Sequence, residues 1–330
     1  MHLRHAAAAF LICLGMPVAA QCVGASYLDQ LDPARRAALA EAADALPFSE
    51  GTMWTATRGA DTITVVGTMH IYDPRLEPIY DEISDEVAAA DLIMLEATPK
   101  EEAELQELII TDPDLLFITE GPTLPTLLDE ETWGLIAKAA TDRGVPGFMA
   151  AKMQPWYLSL ILSIPPCATQ DMLAGDLGLD HMISEGAIEA GVPMQALEPM
   201  TTLFEVFQDS TFDEQIDMLM VNLSSPVIQQ QMFVAMLDSY FAQDVGTLWE
   251  MSRIAMTEVP GVDEQTAKDM FANIEDSLLI KRNRNWMPVI ADAVAEHDDL
   301  VVAVGAAHLI GQEGILQFLQ DDGWTLTRIE

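Results

Sequence analysis

Short apolar runs separated by longer amphipathic stretches set the organisation of the chain. Four such runs have the length and composition of strands, and they are Leu92–Leu95, Met194–Leu197, Leu300–Val304 and Thr325–Ile329. Earlier in the chain, Met53–Arg58 and Thr62–Gly67 alternate between apolar and polar residues, as strands with one covered face do. The intervening Gly59-Ala60-Asp61 is typical of a tight turn, so the two segments are predicted to form a hairpin.

Helix signals lie between the predicted strands. Asp32 followed by Pro33 is typical of an N-cap and a first helical position, and a helix is predicted over Ala34–Leu46. A second helix is predicted to run from Asp73-Pro74 to about Ala90. Helices are therefore expected to alternate with the strands.

The second half of the chain extends this pattern. Apolar residues recur at helical spacing over Ala174–Ala190, and Gly191 follows as a helix terminator. Between Met200 and Ala295 no strand pattern occurs. Buried strands that alternate with helices predict a three-layer α/β core with a mixed, largely parallel sheet. We expect one domain over residues 21–330, with the N-terminal hairpin at one end and a helical insertion at about 200–295.

The first twenty residues are predicted to be a cleaved signal peptide. Arg4 precedes an apolar segment, Ala6–Met16, that is too short to span a bilayer, and Val18-Ala19-Ala20 resembles a cleavage site. A short membrane anchor is the alternative, but Pro17 follows the apolar segment directly. The mature chain is expected to begin near Gln21 and to be periplasmic or secreted, without stable membrane insertion.

Composition narrows the range of partners. Hydrophobic residues make up 50% of the chain and charged residues only 21%, so a large core is available and general disorder is excluded. Acidic residues number 53 against 15 basic ones, which gives a formal net charge of -38. This charge repels phosphate backbones, so a nucleic-acid partner is not expected. It would concentrate cations near any cleft.

Export also changes the expected state of the cysteines. Cys13 would be removed with the signal peptide, which leaves Cys22 and Cys167. An even pair in an oxidising compartment favours a disulfide. Two free, unreactive thiols are the alternative.

Two segments, TVVGTMH and VAVGAAH, share one arrangement of an apolar strand, a glycine and a histidine three residues later. Gly67 and Gly305 are expected to let the chain turn sharply where each strand ends. His70 and His308 would then lie in loops at the carboxyl edge of the sheet, where open α/β sheets bind ligands. If the two strands are neighbours, both imidazoles face one cleft.

Two carboxylates follow predicted strands in the same way, namely Glu96 after Leu95 and Glu198 after Leu197. Two imidazoles and one or two carboxylates suit a divalent transition metal, here Mn, Co, Zn or Fe, with a position left open for water. The alternative is that these residues are separate, solvated loop residues at the edge of the sheet.

Taken in their order along the chain, these motifs resemble the TraB/GumN family, which is similar to the Tiki proteins and the pheromone-shutdown protein PrgY. The residues that carry the resemblance are the two G-x-x-H motifs, Asp73-Pro74-Arg75, Leu95-Glu96, Leu197-Glu198, Arg282-Asn283 and Trp286. The resemblance spans nearly all of the mature chain. It implies a fold related to erythromycin-esterase and ChaN-like proteins. Through the Tiki proteins it also implies a metal-dependent peptidase.

The resemblance assigns roles to individual residues. It implies that His70, His308 and Glu96 hold the metal, and it matches Arg282 to the family's arginine on the helix before the last motif. A guanidinium at this position could hold a substrate carboxylate or stabilise an oxyanion. Whichever of Glu96 and Glu198 is not a ligand would serve as general base. For Arg282, a salt bridge on a helix surface is the alternative.

The expected function is hydrolysis of a peptide or small amide substrate. One alternative is a non-catalytic periplasmic module that binds a peptide, an iron species or haem in the same cleft. Another is an accessory factor for envelope polysaccharide, which ranks last because aromatic residues make up only 7% of the chain.

Overall fold

The computed structural model describes residues 22–169, 177–202, 204, 211–221, 223, 225–257 and 262–329. The predicted signal peptide, residues 1–20, lies outside them. The strands are β1 Met53–Arg58, β2 Asp61–Thr68, β3 Leu92–Leu95, β4 Met194–Ala196, β5 Asp299–Gly305 and β6 Thr325–Arg328. The α-helices are α1 Pro33–Asp44, α2 Leu76–Ala89, α3 Pro99–Thr111, α4 Leu124–Leu127, α5 Glu130–Thr141, α6 Gly147–Ala150, α7 Pro155–Ser163, α8 Leu179–Ala190, α9 Phe212–Val221, α10 Pro226–Phe241, α11 Val245–Thr257, α12 Glu264–Glu275, α13 Lys281–Val294 and α14 Ile315–Asp321.

The strands form one six-stranded mixed sheet in the order β4-β3-β5-β2-β1-β6. Strands β4, β3, β5 and β2 run parallel to one another. Strand β1 is antiparallel to both β2 and β6. The hairpin of β1 and β2 therefore lies between the parallel strands and the edge strand β6. The predicted α/β class and the largely parallel, mixed sheet are confirmed.

The central strands are continuous apolar runs because both faces of the sheet are covered. All four residues of β3 are buried, as are the five residues from Leu300 to Val304 in β5. Successive side chains of a strand point to opposite faces, so this pattern requires helices on each side. Residues of α2, α8, α10, α13 and α14 pack with the strands in one core cluster.

Most predicted elements are confirmed, with changes at their ends. Asp32 caps α1 as expected, because its side chain accepts hydrogen bonds from the backbone of Ala34 and Arg35. The hairpin turn is shorter than predicted, since Asp61 already belongs to β2. The strand predicted to end at Leu197 ends at Ala196.

The helix predicted over Ala174–Ala190 begins later, at Leu179, and this part of the prediction is wrong. Leu177 forms an isolated bridge with Ile71, and the N–H of Gly178 donates to the carbonyl of His70 at 3.1 Å. These contacts hold the segment in an extended conformation until α8 starts. Residues 174–176 lie outside the described part of the chain.

Helices dominate the long stretch between β4 and β5, as expected. The described residues from 200 to 295 contain α9 to α13 and no strand. Helices α3 to α8 also fill the connection between β3 and β4, and parts of α4, α5, α7 and α9 share a second apolar cluster. Within the described residues, no helix is both long enough and apolar enough to cross a membrane.

Cys22 and Cys167 form a disulfide, with a Cα–Cα distance of 5.3 Å and a sequence separation of 145. The bond connects the N-terminal arm to the segment that follows α7. The prediction of a bonded pair is confirmed.

We expect the double variant Cys22→Ser/Cys167→Ser to lose about 2–5 kcal/mol in the free energy of unfolding, because a cross-link that closes a long loop restricts the unfolded chain. Urea unfolding of the wild type and the variant, each with and without dithiothreitol, measures the loss. The reductant should destabilise the wild type by a similar amount and leave the variant unchanged. Equal stability of the oxidised wild type and the variant would contradict the prediction.

Candidate functional site

The site lies where the parallel strands end. In the pairing of β2 with β5, Thr68 lies opposite Gly305, and in the pairing of β3 with β5, Leu95 lies opposite Ala303. Strand β4 ends beside Leu95 in the same direction. The residues that follow these strands therefore meet at one edge of the sheet. The structure shows that the two motif strands, β2 and β5, are neighbours, as the predicted shared cleft requires.

The motif glycines serve close packing. The sharp turn predicted at Gly67 is wrong, whereas Gly305 ends β5 and a 3-10 turn follows it directly. Gly67 lies inside β2, and neither Gly67 nor Gly305 has a positive φ. A Cβ on Gly67 would lie 3.0 Å from the Cα of Ala306, in the loop of the second motif. A Cβ on Gly305 would lie 3.3 Å from Oε1 of Glu96. The glycines thus let the second motif approach the first one and let Glu96 approach the second motif.

A cavity of about 210 Å³ opens at this edge. It is lined by Thr68, His70, Leu95, Glu96, Ala97, Glu102, Asp180, Glu198, Pro199, Met200, Arg282 and Ala303. Four of the five predicted site residues line it directly. The fifth, His308, is 4% exposed and contacts Arg282 beside the cavity.

The Arg282 guanidinium is the centre of the site. Its Nη2 lies 2.6 Å from Oε2 of Glu96 and 2.6 Å from Oε1 of Glu198, and its Nε donates to the same Oε1 of Glu198 at 2.8 Å. Its Nη1 lies 3.3 Å from Nε2 of His308. Arg282 is only 6% exposed, so the alternative of a surface salt bridge is wrong.

The backbone before Arg282 helps to place it. A turn of π-helix, Asp276–Ile280, joins α12 to α13 and ends two residues before the arginine. Nη1 of Arg282 also donates to the carbonyl of Leu278 in this turn, at 3.2 Å. Turns of this kind are frequent at functional sites, and the helical periodicity of the sequence gave no signal for it.

Glu198 is held on both of its carboxylate oxygens. Oε1 accepts hydrogen bonds from Arg282, and Oε2 accepts one from Nε1 of Trp286 at 3.0 Å. Trp286 is fully buried, and its ring lies against the guanidinium of Arg282 and the imidazole of His308. The geometry makes Glu198 a fixed anchor for Arg282.

Glu96 is ionised in this environment. Burial by itself would raise its pKa. Attraction to His70, to Arg282 and to His308, which is protonated at the low pH where Glu96 takes up its proton, outweighs burial together with a 2.7 Å hydrogen bond from the Gly305 N–H, and lowers the pKa to about 2. A carboxylate with this pKa is a weak base and a good partner for a cation.

His308 is neutral, and its neighbours fix the tautomer. The amide nitrogen of Asn283 donates to the carbonyls of His308 and Glu313, so the Asn283 oxygen is left to accept the Nδ1–H of His308 at 2.6 Å. The lone pair of Nε2 then accepts from Nη1 of Arg282, and Oε1 of Glu96 lies 3.9 Å away. Burial lowers the pKa of His308 to about 4, against the charge of Glu96.

His70, in contrast to His308, is protonated at neutral pH. Its side chain is 61% exposed at the cavity, and its Nδ1 lies 3.1 Å from Oδ2 of Asp180. Partial loss of hydration opposes the charged imidazolium, but the hydrogen bond and charge of Asp180 outweigh it and raise the pKa of His70 to about 9. Sequence reasoning missed Asp180, because it lies on a helix far along the chain and belongs to no motif.

The donors fit a divalent transition metal in type, although they are not assembled as a closed set. A neutral imidazole nitrogen next to an ionised carboxylate is a suitable pair, and the bond from Asn283 orients His308 as the outer partners of metal-binding histidines do. His70 lines the same cavity but is engaged by Asp180. Among the described residues, no three His, Cys, Asp or Glu side chains converge as a group that could hold a metal ion.

Arg282→Met should lower the free energy of unfolding by about 3–5 kcal/mol, because it leaves two buried carboxylates without their cation. Arg284→Met is the matched control, two residues further along α13. Arg284 pairs with Glu313 on the surface and is 59% exposed, so its loss should cost less than about 1 kcal/mol. Urea unfolding measures both. Similar losses in the two variants would show that the buried cluster does not stabilise the fold.

The pKa of His308 predicts a dependence of stability on pH. The folded chain holds His308 neutral down to about pH 4, whereas the unfolded chain takes up a proton near the ordinary pKa of 6.5. Stability is therefore lost as the pH falls below 6.5. Between pH 7 and 4.5 the wild type should lose about 2–3 kcal/mol more than His308→Asn, as measured by urea unfolding. Parallel pH profiles for the two proteins would contradict this prediction.

The chain matches one family of known proteins over most of its length. Residues 52–328 match the model of the TraB/PrgY/gumN family. No curated protein and no solved structure matches the chain significantly. The family match begins just before β1 and ends with β6, so it covers the whole sheet and every residue of the site. The chain therefore belongs to the TraB/PrgY/gumN family.

Proposed function

We propose that this chain is an exported, metal-dependent hydrolase that acts on peptide or amide bonds in the cavity at the edge of the sheet. The observation that carries the proposal is the set of preset charges around that cavity. A neutral His308, an ionised Glu96 and a fixed Arg282 lie in contact there, with a protonated His70 across the cavity. Groups whose pKa values are driven apart in one site are the usual sign of acid–base chemistry.

Arg282 is suited to stabilise negative charge on the substrate. Its guanidinium lines the cavity and is held by Glu96 and Glu198, so no reorganisation is needed when charge develops on a carbonyl oxygen. We assign Glu198 to positioning, because its two oxygens already accept hydrogen bonds from Arg282 and Trp286. With both oxygens engaged in these bonds, neither is free for the role of general base that the sequence suggests.

A divalent transition metal, when bound, would polarise the scissile carbonyl. His70, His308 and Glu96 would hold it. His308 and Glu96 are already in the protonation states of ligands but would have to release their hydrogen bonds from Arg282. His70 would have to give up its proton and its bond to Asp180.

The protonation states favour a second route, in which the residues work without a metal. Nε2 of His308 carries no proton, and it would accept one from water in place of its hydrogen bond from Nη1 of Arg282. His70 carries a proton at neutral pH and could donate it to the leaving amine. The two routes use the same cavity and differ in whether stoichiometric metal is required.

Location outside the cytoplasm, in the periplasm or after secretion, belongs to the same proposal. The disulfide between Cys22 and Cys167 supports it, because such bonds persist in oxidising compartments and are rare in the cytosol. A peptide or small amide is the proposed substrate. A non-catalytic module that captures a peptide or an iron species in this cavity is the competing hypothesis.

His70→Ala and His308→Ala should each lower the turnover of a peptide library by at least about 100-fold, since each removes an acid–base group or a metal ligand. His297→Ala is the matched control, because His297 lies in the turn before β5 and outside the cavity lining. It should retain wild-type turnover. Elemental analysis of the same proteins, purified without a histidine tag, separates the two routes.

About one metal ion per chain in the wild type and the control, with none in His70→Ala or His308→Ala, would support the metal-dependent route. Turnover that needs both histidines but no metal would support the second route. No turnover by the wild type, with or without added Mn²⁺, Co²⁺, Fe²⁺ or Zn²⁺, would overturn the hydrolase and favour the binding module.

A further inference from the structure

Two buried polar atoms of the cavity have no hydrogen-bond partner. Within the described part of the chain, Oγ1 of Thr68 and Oδ1 of Asp180 are the buried side-chain atoms left in this state. Both residues line the cavity, and Thr68 is 3% exposed. An unpaired buried polar group destabilises the folded chain, so two of them in the lining of one cavity indicate that a ligand supplies the missing partners.

The fold brings these two residues together from distant parts of the sequence. Thr68 ends β2, and Asp180 lies in the first turn of α8. The N–H of Leu179 donates to the carbonyl of Met69 at 3.0 Å, which fastens the start of the helix to the end of the strand. Asp180 uses Oδ2 to hold His70, so Oδ1 is the oxygen that remains.

The charges around the cavity favour a cationic ligand. Four carboxylates line it, and they belong to Glu96, Glu102, Asp180 and Glu198. Arg282 and the imidazole of His70 oppose them, so carboxylates outnumber positive groups in the lining whether or not His70 carries a proton. The chain as a whole carries a formal charge of -38, which adds to the attraction for a positive group.

An ammonium group fits the free atoms better than a hard divalent cation does. Mg²⁺ and Ca²⁺ need about six or more oxygen ligands, usually with several free carboxylates. Here Glu96 and Glu198 already accept hydrogen bonds from Arg282. An ammonium group has three N–H donors, which suit a carboxylate oxygen and a hydroxyl oxygen at the same time.

We propose that Thr68 and Asp180 form a subsite for the α-ammonium group at the N-terminus of a peptide. This inference rests on the proposed function and deepens it. The subsite shares a cavity of about 210 Å³ with Arg282 and Glu96, so the ammonium group and the bond to be cleaved would lie in the same small cavity. The enzyme would then remove residues from the free N-terminus of its substrate.

The test measures binding, separately from turnover. Ala-Ala-Ala amide and its N-acetylated form are titrated into the wild type, Thr68→Val, Thr68→Ser and Asp180→Asn by isothermal calorimetry at low salt. The wild type should bind the free amine at least tenfold more tightly than the acetylated peptide. Thr68→Val and Asp180→Asn should reduce this preference to about twofold or less, whereas Thr68→Ser keeps the hydroxyl and should retain it.

Thermal unfolding shows that the key variant is folded. Thr68→Val removes an atom that has no partner in the free protein, so its melting temperature should equal or exceed that of the wild type. A variant that is as stable as the wild type yet has lost the preference for the free amine can be explained only by a role of the hydroxyl in binding.

Several results would overturn the subsite. These are equal affinity of the wild type for the two peptides, binding of neither peptide, and an unchanged preference in Thr68→Val. Tight binding of MgCl2 or ZnCl2 that requires both Thr68 and Asp180 would replace it with a metal site. Preference for the free amine without any turnover would refute the hydrolase and support the subsite. Turnover of both peptides at equal rates would support the hydrolase and refute the subsite.

Discussion

The site depends on one buried cation. The guanidinium of Arg282 contacts two carboxylates, a neutral imidazole and the ring of Trp286, with almost no access to solvent. Removing a charge from water is costly, and the cost is offset only when several well-placed partners surround it. Glu96, Glu198 and His308 must therefore hold their positions together, and the sheet edge that carries them is fixed by the same contacts.

The strand order makes this cluster possible. Residues distant in sequence become neighbours because β5 is inserted between β3 and β2, with all three strands parallel. The loops after these strands meet, and the two motif glycines let them pack at distances that a side chain would prevent. The helix that carries Arg282 then crosses this edge after a turn of π-helix.

The two motif histidines differ in protonation state because their surroundings in this cluster differ. His308 is enclosed beside a cation and kept neutral, whereas His70 stands at the open side of the cavity beside Asp180 and keeps its proton. Two residues in equivalent sequence motifs thereby acquire opposite abilities, one to accept a proton or bind a metal and the other to donate. The unpaired oxygen of Asp180 adds a place for a positively charged group of the substrate.

The sequence by itself determined the α/β class, the strands, the disulfide pair and the identity of the residues at the strand ends, because hydrophobic periodicity and short motifs are local features. Only the tertiary structure decided that Glu198 anchors Arg282, that the motif glycines serve close packing, and that Asp180 controls His70. Each of these depends on contacts between residues more than 80 positions apart, as between Arg282 and Glu198. Burial and charge act through space, so no local pattern could show which histidine is neutral.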